Sequence, residues 1–148
     1  MNNLSFHITD IMTNSIRAKA SEIGLFIEER DLRITIRIAD NGLGMDAGTI
    51  ARVTNPFYTT RTTRKVGLGI PFLIQNAEQT GGAVSITSQL GKGTVVTASF
   101  CSNHIDCPPW GDLPGTVAML ITGNPDINIC FEYQAVKTVF SISTSEIK

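Results

Sequence analysis

The sequence predicts a single α/β (α+β) domain in which helices and strands are mixed along the chain. Three observations support this class. Residues 3–19 carry apolar side chains at helical spacing, and residues 33–38 alternate strictly between polar and apolar side chains. Residues 69–82 have proline near the start and glycine at the end, as helices do. With 148 residues, of which 42% are hydrophobic, the chain is long enough to bury a core.

The first predicted helix has two chemically distinct sides. Its core-facing side carries five apolar residues, which are Leu4, Ile8, Ile11, Met12 and Ile16. A second stripe carries polar residues at spacings of three, four and three, and it consists of His7, Asp10, Asn14 and Arg17. Because residues three and four apart are neighbours on a helix, this stripe presents a carboxylate, an amide and a guanidinium together.

Two strands and a short helix are predicted next. Residues 23–29 and 32–40 have strand composition, and the second segment alternates so that one face of the sheet is apolar. Asp46 is placed to cap a short helix that runs through Val53. Pro56 ends that helix, because the residue before a proline is pushed out of the helical region.

The second long helix and a strand pair follow. The helix has Pro71 in its first turn and stops at Gly81 and Gly82. Residues 83–88 and 94–100 then read as two strands joined by a glycine-rich turn. These elements complete a main domain that we assign to residues 1–100.

The last third of the chain, residues 101–148, has a different composition. It begins with a turn-rich connector, continues with a short predicted helix over residues 116–123 and ends with a predicted hairpin of two strands over residues 127–143. We expect this segment to pack on the main domain, because it is too small to fold alone.

The charge balance and the cysteines limit the possible functions. A formal net charge of −1 gives no overall attraction to nucleic acid or to an anionic membrane. The sequence has no apolar run long enough for a bilayer span and no signal-peptide pattern, so we expect a cytoplasmic protein with neither kind of partner. Cys101, Cys107 and Cys130 form neither an even set nor a CxxC motif, and we assign them no chemistry.

The polar stripe of the first helix is the first of three features that suggest a nucleotide. Magnesium prefers hard oxygen ligands and completes its shell with water and phosphate oxygens, so the Asn14 carbonyl is a candidate metal ligand. Asp10, one turn earlier, could order or deprotonate a water that attacks a terminal phosphate. The alternative is an ordinary solvated helix face, which is equally common.

The second feature is the segment "ADNGLGM", residues 39–45, at the end of an alternating strand. The Asp40 carboxylate could accept a hydrogen bond from the exocyclic amine of adenine, whereas guanine has a carbonyl at that position. Gly42 and Gly44 would let the chain turn sharply against a flat base, and Met45 offers an apolar surface. A plain Asp-Asn-Gly turn is the alternative.

The third feature is "TTRTTRKVGLGI", residues 59–70, which precedes the second long helix. Backbone amides at Gly67, Leu68 and Gly69 and the start of the helix would favour an anion. Around them lie three cations and four hydroxyls that could contact phosphate oxygens, which are Arg61, Arg64, Lys65, Thr59, Thr60, Thr62 and Thr63. The alternative is a solvated basic loop, and the segment is not a Walker A motif.

Taken in order, Asp10 to Asn14, "DNGLGM", "NPFYTT", "GLGI" and "GKGT" resemble the successive boxes of the GHKL ATPase superfamily, which includes gyrase, heat-shock chaperones, histidine kinases and MutL proteins. The similarity covers about residues 5 to 100 and is greatest to the bacterial histidine-kinase catalytic domain. It implies a Bergerat-type ATP-binding fold, a two-layer sandwich with helices on one face of a mixed sheet.

The resemblance also implies residue roles. ATP and Mg²⁺ would lie between the first helix and the lid, with Asn14 on magnesium, Asp40 on the adenine amine and Thr94 near the base. Phe57 would anchor the lid. Gly44 would form part of the adenine turn, and Gly67 and Gly69 would contact the phosphates.

Two features depart from the family pattern. Hydrolysing members carry glutamate where this chain has Asp10, whose side chain is one methylene shorter. The dimerising helical hairpin that bears a phosphoacceptor histidine is not found before residue 3, and His7 is better interpreted as a local polar contact and His104 as a surface residue. We expect phosphoryl transfer from ATP to a separate protein; the alternatives are an ATP-gated protein-interaction module and a slow ATPase.

Overall fold

The computed structural model of the chain describes residues 3–53, 69–135 and 138–143. Within these residues, helices and strands follow in the predicted order. They are α1 (Leu4–Arg17), β1 (Glu22–Arg30), β2 (Arg33–Asp40), α2 (Ala47–Val53), α3 (Gly69–Gln79), β3 (Ala83–Gln89), β4 (Gly93–Cys101), α4 (Leu113–Gly123), β5 (Asn128–Ala135) and β6 (Thr138–Ser143).

The strands form a six-stranded sheet with the order β3-β4-β2-β1-β5-β6. Neighbouring strands run antiparallel except β1 and β5, which are parallel, with Leu25 beside Phe131. The sheet is therefore mixed, as predicted. The strand register also brings two residues of the candidate site together, because Asp40 at the end of β2 lies opposite Thr94 at the start of β4.

The core lies between one face of the sheet and the helices. Alternate residues of the central strands are buried, and the members of this set include Ile23, Leu25 and Ile27 of β1, Ile34, Ile36 and Ile38 of β2, and Val96, Ala98 and Phe100 of β4. Helix α1 packs on β2 and contacts both α3 and α4, while α3 packs on β3 and β4. The predicted sandwich of helices on a mixed sheet is confirmed.

Helix α1 forms as its pattern predicts and is held at both ends. Four of its five predicted core residues are buried, and Ile16 is half-buried. At the start, the Asn3 side chain accepts a hydrogen bond from the Phe6 amide at 2.6 Å. The amides of Leu4 and Ser5 donate to the carbonyls of Pro109 and Trp110, so the C-terminal connector supplies two more caps.

The C-terminal segment differs from the sequence prediction in its helix. Helix α4 begins at Leu113 rather than residue 116, because the Asp112 carboxylate accepts from the Gly115 amide and Pro114 occupies the first turn. The hairpin of β5 and β6 joins the main sheet through β1. None of the helices in the described part of the chain has the length and apolarity to cross a bilayer. The three cysteines are free thiols.

Candidate nucleotide-binding site

A cavity of about 230 Å³ opens between α1, the end of β2, the start of α3 and β4. Six of the residues predicted for a nucleotide site line it: Asn14, Arg17, Asp40, Gly44, Met45 and Thr94. The remaining lining residues are Ile11, Ser15, Ala18, Ile38, Leu43, Thr49, Ile70 and Val96. The cavity thus joins an apolar wall to a few polar groups, which is the usual composition of a small-molecule site.

Asp40 ends β2 and is held by two donors. Its Oδ1 accepts from the Gly42 amide at 2.8 Å, and its Oδ2 accepts from the Ser15 hydroxyl at 2.6 Å. An ionised carboxylate has about four acceptor positions, so these two bonds leave capacity for a ligand donor. The side chain is therefore oriented by the protein before any ligand arrives.

Asn14 lies on the α1 side of the cavity. Its Nδ2 is buried and has no hydrogen-bond partner among the described residues. Leaving a buried donor unpaired costs roughly 1–3 kcal/mol, so a ligand oxygen or a water bound here would stabilise the site. Arg17, one turn further along α1, lines the same cavity and is exposed. The pair fits a ligand that carries oxygen atoms and negative charge.

The loop after β2 is fixed on both sides by backbone hydrogen bonds. The Leu43 amide donates to the Ala18 carbonyl at 2.8 Å, and the Leu43 carbonyl accepts from the Gly91 amide at 2.7 Å. The Asn41 side-chain oxygen accepts from the amides of Ser21 and Glu22. This wall of the cavity is consequently built into the fold, between the end of α1 and the β3–β4 turn.

The two glycines of this loop are explained by packing. Gly44 has a φ of 74°, and a Cβ there would lie 2.1 Å from the Gln89 carbonyl oxygen. A Cβ on Gly42 would lie 2.7 Å from the Ala18 carbonyl oxygen. Both side-chain positions point into neighbouring protein, so the glycines permit the loop to pack closely and thereby shape the cavity wall.

Thr94, which lines the cavity, forms a hydroxyl pair with Ser88. Its hydroxyl lies 2.7 Å from that of Ser88, which also accepts from the Met45 amide at 2.7 Å. Ser88 thus links the loop that carries Met45 to the strand that carries Thr94. Thr94 itself faces the cavity opposite Asp40 in the sheet register.

Asp10 and His7 occupy different surroundings from Asn14, although all share the predicted stripe. Asp10 is half-buried and is not among the residues that line the described part of the cavity, and burial raises the pKa of its carboxyl. His7 is 1% exposed, its Nε2 lies 2.8 Å from Asn76 Nδ2, and burial lowers its pKa to about 4. His7 therefore makes the local polar contact expected from the sequence, and this contact is buried against α3.

The phosphate end of the predicted site falls mostly on residues that lie outside those the structure describes. This applies to Phe57, Thr59, Thr60, Arg61, Arg64, Lys65, Gly67 and Leu68. Gly69 is the first residue of α3, and Ile70 after it lines the cavity. The start of α3 therefore lies at the cavity, which is where the sequence predicts an anion-binding helix end.

Sequence reasoning missed Ser15 and Ser88, the residues that hold Asp40, Met45 and Thr94. For Ser15 a signal existed, since it lies four residues after Ile11 and so shares the core-facing side of α1. For Ser88 no local signal was available, because its partners lie in another loop and another strand. Of the apolar residues that line the cavity, Ile11 and Ile38 were predicted only as apolar-face residues of their helix and strand, and Ile70 and Val96 were not singled out.

A family model and the curated relatives both match this chain to histidine-kinase-like proteins. A family model described as histidine kinase-, DNA gyrase B-, and HSP90-like ATPase matches residues 3–103. Among curated relatives, the sensor histidine kinases YvrG and YxdK of Bacillus subtilis are 28% and 29% identical to this chain over 99 and 106 residues. The sensor protein kinase FleS of Pseudomonas aeruginosa is 34% identical over 93 residues.

These alignments cover 63%, 66% and 61% of this chain but only 17%, 32% and 23% of YvrG, YxdK and FleS. The chain thus corresponds to a third or less of each of these relatives. The family match covers more than half of the chain, and with the sandwich fold it defines an ATP-binding domain. The chain belongs to the histidine kinase-, DNA gyrase B- and HSP90-like ATPase family, as a domain of the histidine-kinase-like type.

Proposed function

We propose that this chain binds ATP with Mg²⁺ in the cavity beside α1 and transfers the terminal phosphoryl group to a separate protein. The observation that carries the proposal is that Asp40, whose carboxylate is held by two donors, and Asn14, whose Nδ2 is a buried donor without a described partner, both line one mostly apolar cavity of about 230 Å³. The sensor kinase relatives support the phosphoryl-transfer part.

In this proposal the two polar groups recognise opposite ends of the nucleotide. Asp40 accepts a hydrogen bond from the adenine amine, while Ile38 and Val96 pack against the base and Thr94 contacts its edge. Asn14 supplies an oxygen for the metal, and Arg17 adds positive charge near the phosphates. Magnesium, when bound, would neutralise phosphate charge during transfer.

The remaining chemistry is proposed for Asp10 and the acceptor protein. The acceptor's nitrogen or oxygen forms a bond to the terminal phosphorus as the bond to the bridging oxygen breaks and ADP leaves. A serine acceptor must also lose its proton, and Asp10 is the candidate base, since a raised pKa makes its carboxylate a stronger base than an exposed aspartate. A histidine acceptor attacks through a ring lone pair.

An ATP-gated interaction module is the second candidate. It is favoured by the position of Asp10, which does not line the described part of the cavity and is shorter than the glutamate of hydrolysing relatives. In that case ATP binding would create a surface that includes residues 55–66 and binds a partner. A slow ATPase would release phosphate without labelling another protein.

Titration calorimetry tests the binding proposal. We expect the wild-type chain to bind ATP with Mg²⁺ and to bind GTP poorly. Asp40→Asn should weaken ATP binding by roughly 1.5–3 kcal/mol, the scale of a hydrogen bond to a charged group. The matched control is Asp126→Asn, an exposed residue between α4 and β5, which should bind ATP as the wild type does. Normal ATP binding by the Asp40 variant would mean that the adenine assignment is wrong.

Incubation with γ-labelled ATP and proteins of the native cell extract separates the candidates. A kinase leaves label on a second protein, and Asn14→Ala should abolish that labelling. Label recovered only as free phosphate indicates an ATPase, and bound ATP with neither product indicates the interaction module. Failure of the wild type to bind ATP at all would contradict every candidate.

A further inference from the structure

Ser15 makes the shortest side-chain contact to the candidate adenine-binding acid. Its hydroxyl lies 2.6 Å from Asp40 Oδ2, and the residue is 3% exposed. The same hydroxyl lies 3.5 Å from the Ile11 carbonyl, which is the usual acceptor for a serine inside a helix. A hydroxyl has one hydrogen to donate, and a bond of 2.6 Å is far stronger than one of 3.5 Å. Ser15 therefore donates to Asp40.

The second contact to Asp40 comes from a different direction. The Gly42 amide binds Oδ1, while Ser15 binds Oδ2, so each carboxylate oxygen has its own donor. With both oxygens held, the side chain cannot rotate about its last bond without losing one hydrogen bond. The plane of the carboxylate, and hence the direction of its free lone pairs, is fixed relative to the cavity that Asp40 and Ser15 both line.

The position of Ser15 on α1 also has a consequence. Ser15 follows Asn14 directly, and successive residues of a helix point about 100° apart. Both residues line the cavity, but Ser15 points towards Asp40 of β2 and Asn14 points in another direction. One turn of α1 therefore contacts both proposed ends of the nucleotide, the adenine end through Ser15 and the phosphate end through Asn14. A shift of α1 would change the metal ligand and the orientation of Asp40 together.

We propose that Ser15 is a positioning residue for base selection, which holds the Asp40 carboxylate so that it accepts from a 6-amino group and opposes a 6-carbonyl. This inference rests on the proposed function, because it requires that adenine binds at Asp40. Both donors use protons of the protein, so both carboxylate oxygens act as acceptors. A guanine carbonyl would meet another acceptor with no proton between them, and GTP is rejected.

The test compares ATP with purine riboside triphosphate, which lacks the 6-amino group. In the wild type we expect ATP to bind more tightly than the analogue. Ser15→Ala should weaken ATP binding by about 10-fold, the scale of one hydrogen bond, and leave the analogue nearly unchanged. In a chain that already carries Asp40→Asn, adding Ser15→Ala should have little further effect on either nucleotide.

Ser5→Ala is the matched control. Ser5 is a buried serine of the same helix, but its hydroxyl donates to the Trp110 carbonyl at 2.6 Å, away from the cavity. We expect this variant to keep the ratio of the two affinities. Ser15→Cys retains the side-chain shape with a weaker donor, and it provides the same comparison if Ser15→Ala fails to fold.

The outcomes distinguish this inference from the proposed function. A wild type that binds neither nucleotide contradicts the proposed function itself. A wild type that prefers ATP, with a Ser15→Ala variant that keeps the full preference, overturns only the role of Ser15. Equal losses for ATP and the analogue would show that Ser15 merely supports the fold, and this result would also overturn the inference.

Discussion

Gly44 lies where the loop after β2 turns against the β3–β4 turn, in a conformation that residues with a Cβ rarely adopt. Gly44→Ala adds strain of about 1–2 kcal/mol for the positive φ, and its Cβ would also collide with the Gln89 carbonyl 2.1 Å away. We expect the variant to lose more stability than the strain alone explains. Urea denaturation followed by circular dichroism measures the difference.

Gly91 provides the control for Gly44. It has a similar φ of 79°, but a Cβ there would meet nothing within 4 Å. Gly91→Ala should therefore show the strain without the collision. If the two variants were equally stable, the close packing of the loop on Gln89 would not be what requires glycine at position 44.

His7 predicts a pH dependence of stability. Burial lowers its pKa to about 4, whereas an unfolded histidine titrates near 6.5. Below pH 6.5 the unfolded chain binds a proton that the folded chain excludes, so stability falls as the pH decreases from 6.5 toward 4. The full effect is about 3 kcal/mol, since each pKa unit corresponds to about 1.4 kcal/mol.

Urea denaturation at several pH values measures this effect. His7→Gln should flatten the stability profile between pH 6.5 and 4, and replacement of the exposed His104 in the same way, His104→Gln, is the control. Carboxylates that titrate in the same range are common to all three proteins, so the comparison isolates His7. A wild-type slope that survives in the His7 variant would contradict the assignment.

At the scale of single residues, a role could be predicted where it follows from the residue's own side chain and its neighbours in sequence, and not where it depends on a tertiary contact. Asp40 and Asn14 were predicted because a carboxylate at a strand end and an amide on a helix carry their chemistry in their own side chains. The burial of His7 was missed because its partner, Asn76, lies on α3 and is brought near only by helix packing. For Ser15, the spacing from Ile11 indicates the core-facing side of α1, but its acceptor, Asp40, lies on β2, and no local pattern reveals that contact.

At the scale of elements, start and stop signals were most informative where one residue type determines the local geometry. Pro71 and the pair Gly81 and Gly82 correctly bounded α3, because proline fits a first turn and glycine permits the chain to leave a helix. Helix α4 was predicted to start too late, because Asp112 and Pro114 resemble turn residues. They are in fact its cap and its first turn.

Helix α1 combines three roles that the sequence shows only separately. Its apolar side packs on the sheet, its next face lines the cavity with Asn14, and its first amides are capped by the carbonyls of Pro109 and Trp110. The caps come from a connector that is distant in sequence. The Ser5 hydroxyl, for example, donates to the carbonyl of Trp110, which lies 105 residues further along the chain. The candidate site and the C-terminal segment therefore share this helix.

For the whole molecule, the sheet order was the least predictable feature. Each strand could be recognised from its alternation, but the parallel pairing of β5 with β1 joins residues that are about one hundred positions apart. Because local patterns do not encode which edges meet, the sequence predicted a C-terminal hairpin without its place in the sheet. That pairing makes β1 an interior strand, with β2 on one side and β5 on the other.

A chain limited to residues 3–103, the part that the family model matches, tests how far the ATP-binding fold depends on the C-terminal segment. This fragment would expose one edge of β1 and remove the Pro109 and Trp110 caps from α1. It would also lose four buried side chains, Val117, Ile121, Ile129 and Phe131, and each such burial contributes roughly 1.5–3 kcal/mol.

We therefore expect the fragment to unfold at a clearly lower urea concentration than the full chain and to aggregate, since an exposed strand edge and an uncovered apolar face both promote association. Urea denaturation and light scattering measure the two effects, with a chain ending at residue 143 as the control that keeps β6. A monomeric fragment with the stability of the full chain would show that residues 104–148 are independent of the fold. In that outcome α1 would be stable without the caps from Pro109 and Trp110, and titration calorimetry of the fragment would show whether it still binds ATP.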